Sequence, residues 1–144
     1  MENGNRDRVE CNLPCCDIDS VMVEMSYDIR LGVKVEGTDI IAVIAEPEYS
    51  SPTYNLGDMF RACMGWDFKQ GEWYRVSDVL PNILKGITEL SMYPKKYREY
   101  EPDNGWGTVK NALSTLQSLA ECISEQNDGS TWQDIPYEHL WLRW

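Results

Sequence analysis

Apolar residues repeat with two different periods in this chain, and the change falls near its midpoint. From Val21 onward they alternate: Val21, Val23 and Met25, then Ile29, Leu31, Val33 and Val35, with Asp28, Arg30 and Lys34 on the opposite side. A period of two marks a half-buried strand, and Gly32 is a place for a bulge. Glu36-Gly37-Thr38-Asp39 is turn chemistry, and Ile40-Ile41-Ala42-Val43-Ile44-Ala45 follows with no polar residue. The two runs predict an antiparallel hairpin whose second strand is the most buried, covered on both faces. Past Ser77 the period becomes helical. Leu80, Ile83, Leu84, Ile87 and Leu90 mark one face, and Val109, Ala112, Leu113, Leu116, Leu119, Ala120 and Ile123 mark another. Strands first and helices after predict an α+β fold: a small antiparallel sheet packed by three or four helices.

Residues 54–76 join the two regimes. They hold both Phe residues, two of the six Trp and two of the eight Tyr. Asn55 is placed to cap a short helix carrying Leu56, Met59, Phe60 and Cys63, which Gly65 ends. A loop to Gly71 and a short strand around Trp73 follow. The segment reads as a clamp between sheet and helices through Phe60, Trp66, Phe68 and Trp73. Ser77 is the expected cap of the next helix, with Pro81 early in it, and Pro94 opens a short helical piece to Tyr100. Thr108 is the expected cap of the clearest helix, ending near Glu125; a loop begins at Gln126, and aromatics near Trp141 suggest a closing strand. Residues 1–19 read as a flexible acidic arm and residues 20–144 as one domain.

At 144 residues the chain can bury roughly 70% of its unfolded surface, enough for a core without staples. No apolar run reaches the length of a membrane span, and the polar first residues lack a signal-like core, which predicts a cytoplasmic protein. An odd set of five cysteines (Cys11, Cys15, Cys16, Cys63 and Cys122) then predicts free thiols. No CxxC pair occurs and His139 is the only His, so neither a metal centre nor any other cofactor is expected. The net charge is −11 and unevenly spread. Residues 1–50 carry eleven acids against four bases, residues 51–100 six against seven, and residues 101–144 seven against two. Phosphate backbones are bound by Lys and Arg, so direct nucleic-acid binding is not expected; a basic protein surface suits this charge.

No motif for catalysis stands out. Cys63 lies among apolar neighbours, Ser50-Ser51 is outside any nucleophile elbow, Asp17 and Asp19 lack the rest of a calcium loop, and Gly57, Gly65 and Gly71 are not followed by Gly-Lys-Ser/Thr. Glu46 and Glu48 flank Pro47 at the end of the apolar run, where a carboxylate pair could serve a hydrolase. Aromatic rings with polar tips are enriched at interfaces. The candidate partner-binding residues are therefore the aromatics Tyr49, Tyr54, Trp66 and Trp106 with the acids Glu46, Glu48, Asp67 and Glu72 near them.

Several stretches carry a resemblance: Ala45-Glu46-Pro47-Glu48-Tyr49-Ser50-Ser51-Pro52-Thr53-Tyr54-Asn55-Leu56, Gly65-Trp66-Asp67, Gly71-Glu72-Trp73-Tyr74, Asn104-Gly105-Trp106-Gly107-Thr108, Ile135-Pro136 and Trp144. Over roughly residues 40–144 the chain resembles a family of small uncharacterised proteins from phages and integrated mobile elements of Gram-positive gut bacteria. No activity is known for that family, so no functional residue carries over. The resemblance implies a bacterial or phage cytoplasm and a role in conflict between mobile elements and host immunity. The leading expectation is a non-enzymatic acidic binding module, in its sharper form an inhibitor of bacterial defence of the anti-CRISPR kind that covers a basic nucleic-acid channel. The alternatives are a small hydrolase using Glu46 or Glu48, and a structural or regulatory homo-oligomer.

Overall fold

A computed structural model describes residues 26–128 and 134–144. The fold is α+β. Four antiparallel strands, β1 (Arg30–Lys34), β2 (Ile41–Ala45), β3 (Trp73–Arg75) and β4 (Trp141–Arg143), form one sheet in the order β2-β1-β4-β3. The helices are α1 (Gly57–Met64), α2 (Val76–Met92), α3 (Pro94–Tyr97) and α4 (Val109–Asn127). α2 packs between α1 and α4. Gly86 makes this possible, because a Cβ there would stand 2.7 Å from Met64 Cγ and 2.8 Å from Leu116 Cδ1.

The hairpin forms as its turn chemistry predicts. Val35 N–H donates to Ile40 O at 2.8 Å, and Gly37 takes a left-handed φ of 78°. The β1–β2 register shifts between Leu31 and Gly32, where the bulge was expected. The expected burial of β2 is overturned. It is an edge strand, with Ile40 65% and Val43 50% exposed. The last strand of the chain takes the place beside β1 instead, and its Leu142 is fully buried. An uninterrupted apolar run is thus compatible with an edge, since periodicity alone does not distinguish the two. Val35 is likewise exposed, while Ile29 and Leu31 are fully buried. The strand expected before Ser26, the arm expected at 1–19, and Cys11, Cys15 and Cys16 lie outside the described residues.

Buried side chains of the sheet's inner face (Leu31, Leu142) join Leu56, Met59, Phe60, Val79, Ile83, Leu90, Leu116 and Leu119 in one core. Its centre is aromatic. Trp144, 1% exposed, stacks on Phe68 at 4.4 Å and tilts against Phe60 at 5.1 Å; Tyr27, Tyr54, Trp66 and Tyr74 complete the cluster. Residues 54–76 do clamp sheet to helices, but with Trp144 in the place expected for Trp73. β3 alternates, so Tyr74 turns to the core while Trp73 and Arg75 face outward. Outside, Arg143 lies over the Trp73 ring at 4.9 Å, and Lys34 and Arg75 over the Trp141 ring at 5.2 and 5.0 Å.

Two caps differ from expectation. Thr53, not Asn55, caps the chain's entry into α1, through a 3-10 turn (Tyr54–Leu56). α2 starts at Val76, one residue ahead of Ser77, because β3 runs straight into it; Val76 N–H is satisfied by Leu140 O at 2.8 Å rather than by a side chain. Leu84 is exposed, the buried face of α2 running through Val76, Val79, Ile83, Gly86 and Leu90. Gly65 ends α1 with φ 63°, as expected. Thr108 caps α4 in a reciprocal pairing with Asn111, and that helix continues through Gln126 to Asn127, past the expected start of a loop.

Candidate functional site

The segment between β2 and α1 is the framework of the site. It leaves the sheet but stays tied to it: Ile29 N–H donates to Ser50 O and Tyr27 N–H to Pro52 O, both at 2.8 Å. Ser50 is buried, and its Oγ donates to Glu46 Oε1 at 2.9 Å. Between the end of β2, paired to β1 at Ala45, and Ser50, Tyr49 adopts φ 60°, a left-handed conformation that L side chains enter at a cost of about 1–2 kcal/mol. Among the described residues it is the one non-glycine with positive φ. The residue is 61% exposed.

Opposite stands Trp106, 44% exposed. Its backbone is held on both sides: its N–H donates to Asn104 Oδ1 at 2.9 Å, and its carbonyl accepts from Asn55 Nδ2 at 3.4 Å. Gly107, at φ 119°, lets the loop close onto the first wall, because a Cβ there would stand 2.9 Å from Leu56. Between the walls lies an open cleft of about 540 Å³, floored by Asn111, Ser114 and Thr115 of α4. A second hollow of about 440 Å³ shares Tyr49 and Ser114 and continues along α4 past Gln117 and Ser118 to Glu121. Together they form one groove. Thr115 spends its hydroxyl proton on Asn111 O, and Asn111 serves the cap of α4. Ser114, Gln117 and Ser118 make no side-chain hydrogen bond to any described residue. Their hydroxyl and amide groups face the groove with donors and acceptors to spare.

The eight residues picked from the sequence separate in space. Tyr49 and Trp106, 57 positions apart, come together across the groove. Tyr54 and Trp66 belong to the aromatic core, where Tyr54 also accepts a hydrogen bond from Gln70. Asp67 pairs with Arg61 at 3.5 Å and Lys69 at 3.1 Å, and Glu72 accepts from Tyr74 Oη at 3.4 Å, so both acids finish the rim of that core. Glu46 is engaged by Ser50 and, at 3.7 Å, by Arg30, while Glu48 is exposed; neither lines the groove. The hydrolase reading placed these two carboxylates at the end of a strand buried on both faces, and β2 is not such a strand. The sequence reading missed the polar face of α4, whose signal was present: Asn111, Ser114, Gln117, Ser118 and Glu121 recur at helical spacing.

Two other features offer less. Cys63 is fully buried in the α1–α2 contact and burial pushes its thiol up to about 12; burial likewise raises Cys122 to about 11. Neither is an activated nucleophile. A cleft of about 730 Å³ beside Trp141 is lined by Lys34, Arg75, Asp134, Glu138 and His139. Two cations already cover its Trp ring, and its charges are of both signs. Among the described residues no group of His, Cys, Asp and Glu is arranged to hold a metal ion, and no helix is long and apolar enough to cross a membrane. Comparison with known protein families, curated proteins and solved structures finds no match to this chain.

Proposed function

We propose that this chain is a non-enzymatic protein-binding module that holds a segment of its partner in the groove between Tyr49 and Trp106. One observation carries the reading: two large aromatic rings stand in solvent on backbone pinned from both sides, one of them in a strained conformation. Rigid aromatic anchors beside adaptable hydroxyl and amide groups are the composition of a recognition surface. Strain held at an exposed residue is a pointer to function.

The finer reading is an inhibitor of bacterial defence, acting in the cytoplasm and covering a basic nucleic-acid-binding surface, such as that of a CRISPR effector. The net charge of −11 and the resemblance to mobile-element proteins support it. The test is affinity capture from a Gram-positive gut bacterium with wild type and a Tyr49→Ala/Trp106→Ala double variant, then titration of the captured partner at rising salt. A protein enriched by wild type alone, with affinity falling steeply in salt, is the expected result. Equal capture by both forms overturns the groove, and salt-independent affinity overturns the charge mechanism.

A homo-oligomer is the second reading. It draws on β2, an edge strand with no charged residue, with Val43 and the preceding Ile40 exposed, which is a template for pairing with a second copy. Light scattering of wild type against Val43→Lys tests it: a larger species lost in the variant supports the pairing, and a monomer at all concentrations refutes it.

A further inference from the structure

The groove has a polarity. Of the side chains lining its two hollows only two are charged, Lys110 at the Trp106 end and Glu121 at the far end. Neither forms an ion pair or side-chain hydrogen bond with a described residue. Lys110 and Glu121 are eleven positions apart on one helix. Eleven residues make about three turns, which returns Glu121 to the face of Lys110, about 16 Å further along the axis. An extended chain covers that distance in about five residues at roughly 3.3 Å each. The uncharged floor between them, Ser114, Gln117 and Ser118, carries free donors and acceptors along the same line.

We propose that the groove selects an extended peptide by its charge order: a carboxylate at the Lys110 end, a basic side chain about five residues away at the Glu121 end, and uncharged residues between, with an apolar or aromatic one held between Tyr49 and Trp106. This rests on reading the groove as a protein-binding surface. It also refines the role of charge. The net charge of the chain draws basic surfaces from a distance, but the two groove residues, one of each sign, set the register and direction of what binds.

The probe is a displayed library of random heptapeptides selected on the full chain, followed by fluorescence anisotropy with the enriched peptide and with a synthetic copy whose acid and base are exchanged. The expected result is enrichment of the acid–spacer–base order, with the exchanged copy binding about tenfold more weakly at low salt, since each exposed pair turns from attraction to repulsion. A Lys110→Glu/Glu121→Lys double variant should prefer the exchanged copy. Both substitutions are on an exposed helix face, and helix content by circular dichroism confirms that the variant folds. Peptides that bind wild type but not Tyr49→Ala/Trp106→Ala, with no preference for charge order, would overturn this inference and leave the groove as the binding site. Peptides that bind wild type and the aromatic double variant equally, or a library yielding none, would overturn both.

Discussion

Tyr49 allows stability and binding to be separated by a pair of substitutions. Tyr49→Ala and Tyr49→Gly both remove the ring, so both lose the same contacts, and they differ in what remains at φ 60°. Alanine keeps the left-handed strain, about 1–2 kcal/mol; glycine relieves it. Glycine in turn gives the unfolded chain more freedom, which costs about 0.4–1 kcal/mol. The Gly variant should therefore be more stable than the Ala variant by up to about 1.5 kcal/mol, with a melting temperature up to about 5 °C higher. Relative to wild type, each loses the ring contacts of a residue that is already 61% exposed, a loss of about 1 kcal/mol by area. Binding should behave differently. If Tyr49 is an anchor, both variants lose about 2 kcal/mol of affinity, roughly thirtyfold, and to the same extent. Urea unfolding and anisotropy with the selected peptide measure the two effects on the same samples. Two results would refute the reasoning. An Ala variant more stable than the Gly variant by about 0.4–1 kcal/mol, the unfolded-chain effect alone, would mean that the backbone is not strained at Tyr49. A loss above 2 kcal/mol of stability in both would mean that the ring serves the fold rather than a partner.

Trp144→Ala should destabilise by about 3–5 kcal/mol in urea unfolding, because it empties the centre of the aromatic cluster; Trp144→Phe should cost clearly less, since it also removes the buried Nε1–H that has no partner. Gly86→Ala gains about 1 kcal/mol of helix propensity but places a methyl inside contact distance of Met64 and Leu116, an overpacking that costs about 1–3 kcal/mol, so the net should be destabilising by up to about 2 kcal/mol. Stability should fall at alkaline pH. Above about pH 9 the unfolded thiols ionise while Cys63 and Cys122 hold their protons to about 12 and about 11, so the folded state binds more protons and stability declines across that window. Cys63→Ala should flatten the slope of stability against pH between 9 and 12, and an unchanged slope would remove Cys63 as its cause. A native-state thiol titration at pH 8 should leave both cysteines unreacted until denaturant is added.

The sequence was most legible where one physical signal acts alone. Thr108 with Asn111, Gly65 after α1, and the Glu36–Asp39 turn are local chemistry, and each does what its residues dictate. It was least legible where a distant segment decides. Nothing near Ile41–Ala45 shows that Trp141–Arg143 will take the place beside β1 and leave β2 at the edge. Likewise Ser77 looks like a cap until Leu140, 63 positions later, supplies the carbonyl that Val76 needs. The site follows the same division. Tyr49 and Trp106 were picked for their chemistry, but only the closure of Gly107 onto Leu56 shows that they face each other. Asp67 and Glu72 satisfied the same criteria and are used up by Arg61, Lys69 and Tyr74. An exposed acid near an aromatic is a candidate only while its partners are unknown.

The groove's position bears on how it can work. Its first wall is not an appended loop. Ser50 and Pro52 accept hydrogen bonds from Ile29 and Tyr27, Thr53 caps the entry to α1, and Leu56 is fully buried in the core. Its floor, α4, buries Leu116 and Leu119 on the opposite side. Movement of the first wall or of the floor would disturb the aromatic cluster or the α2–α4 packing around Gly86. A site so tied to the core has little freedom to lose on binding, and lost freedom is the main charge against affinity for a short segment. That is the physical reason for expecting two rings and a few hydroxyl and amide groups to suffice. It also explains why strain at Tyr49 persists: the anchors on both sides are part of the fold, so the backbone between them cannot relax without unpairing Ser50 from the sheet.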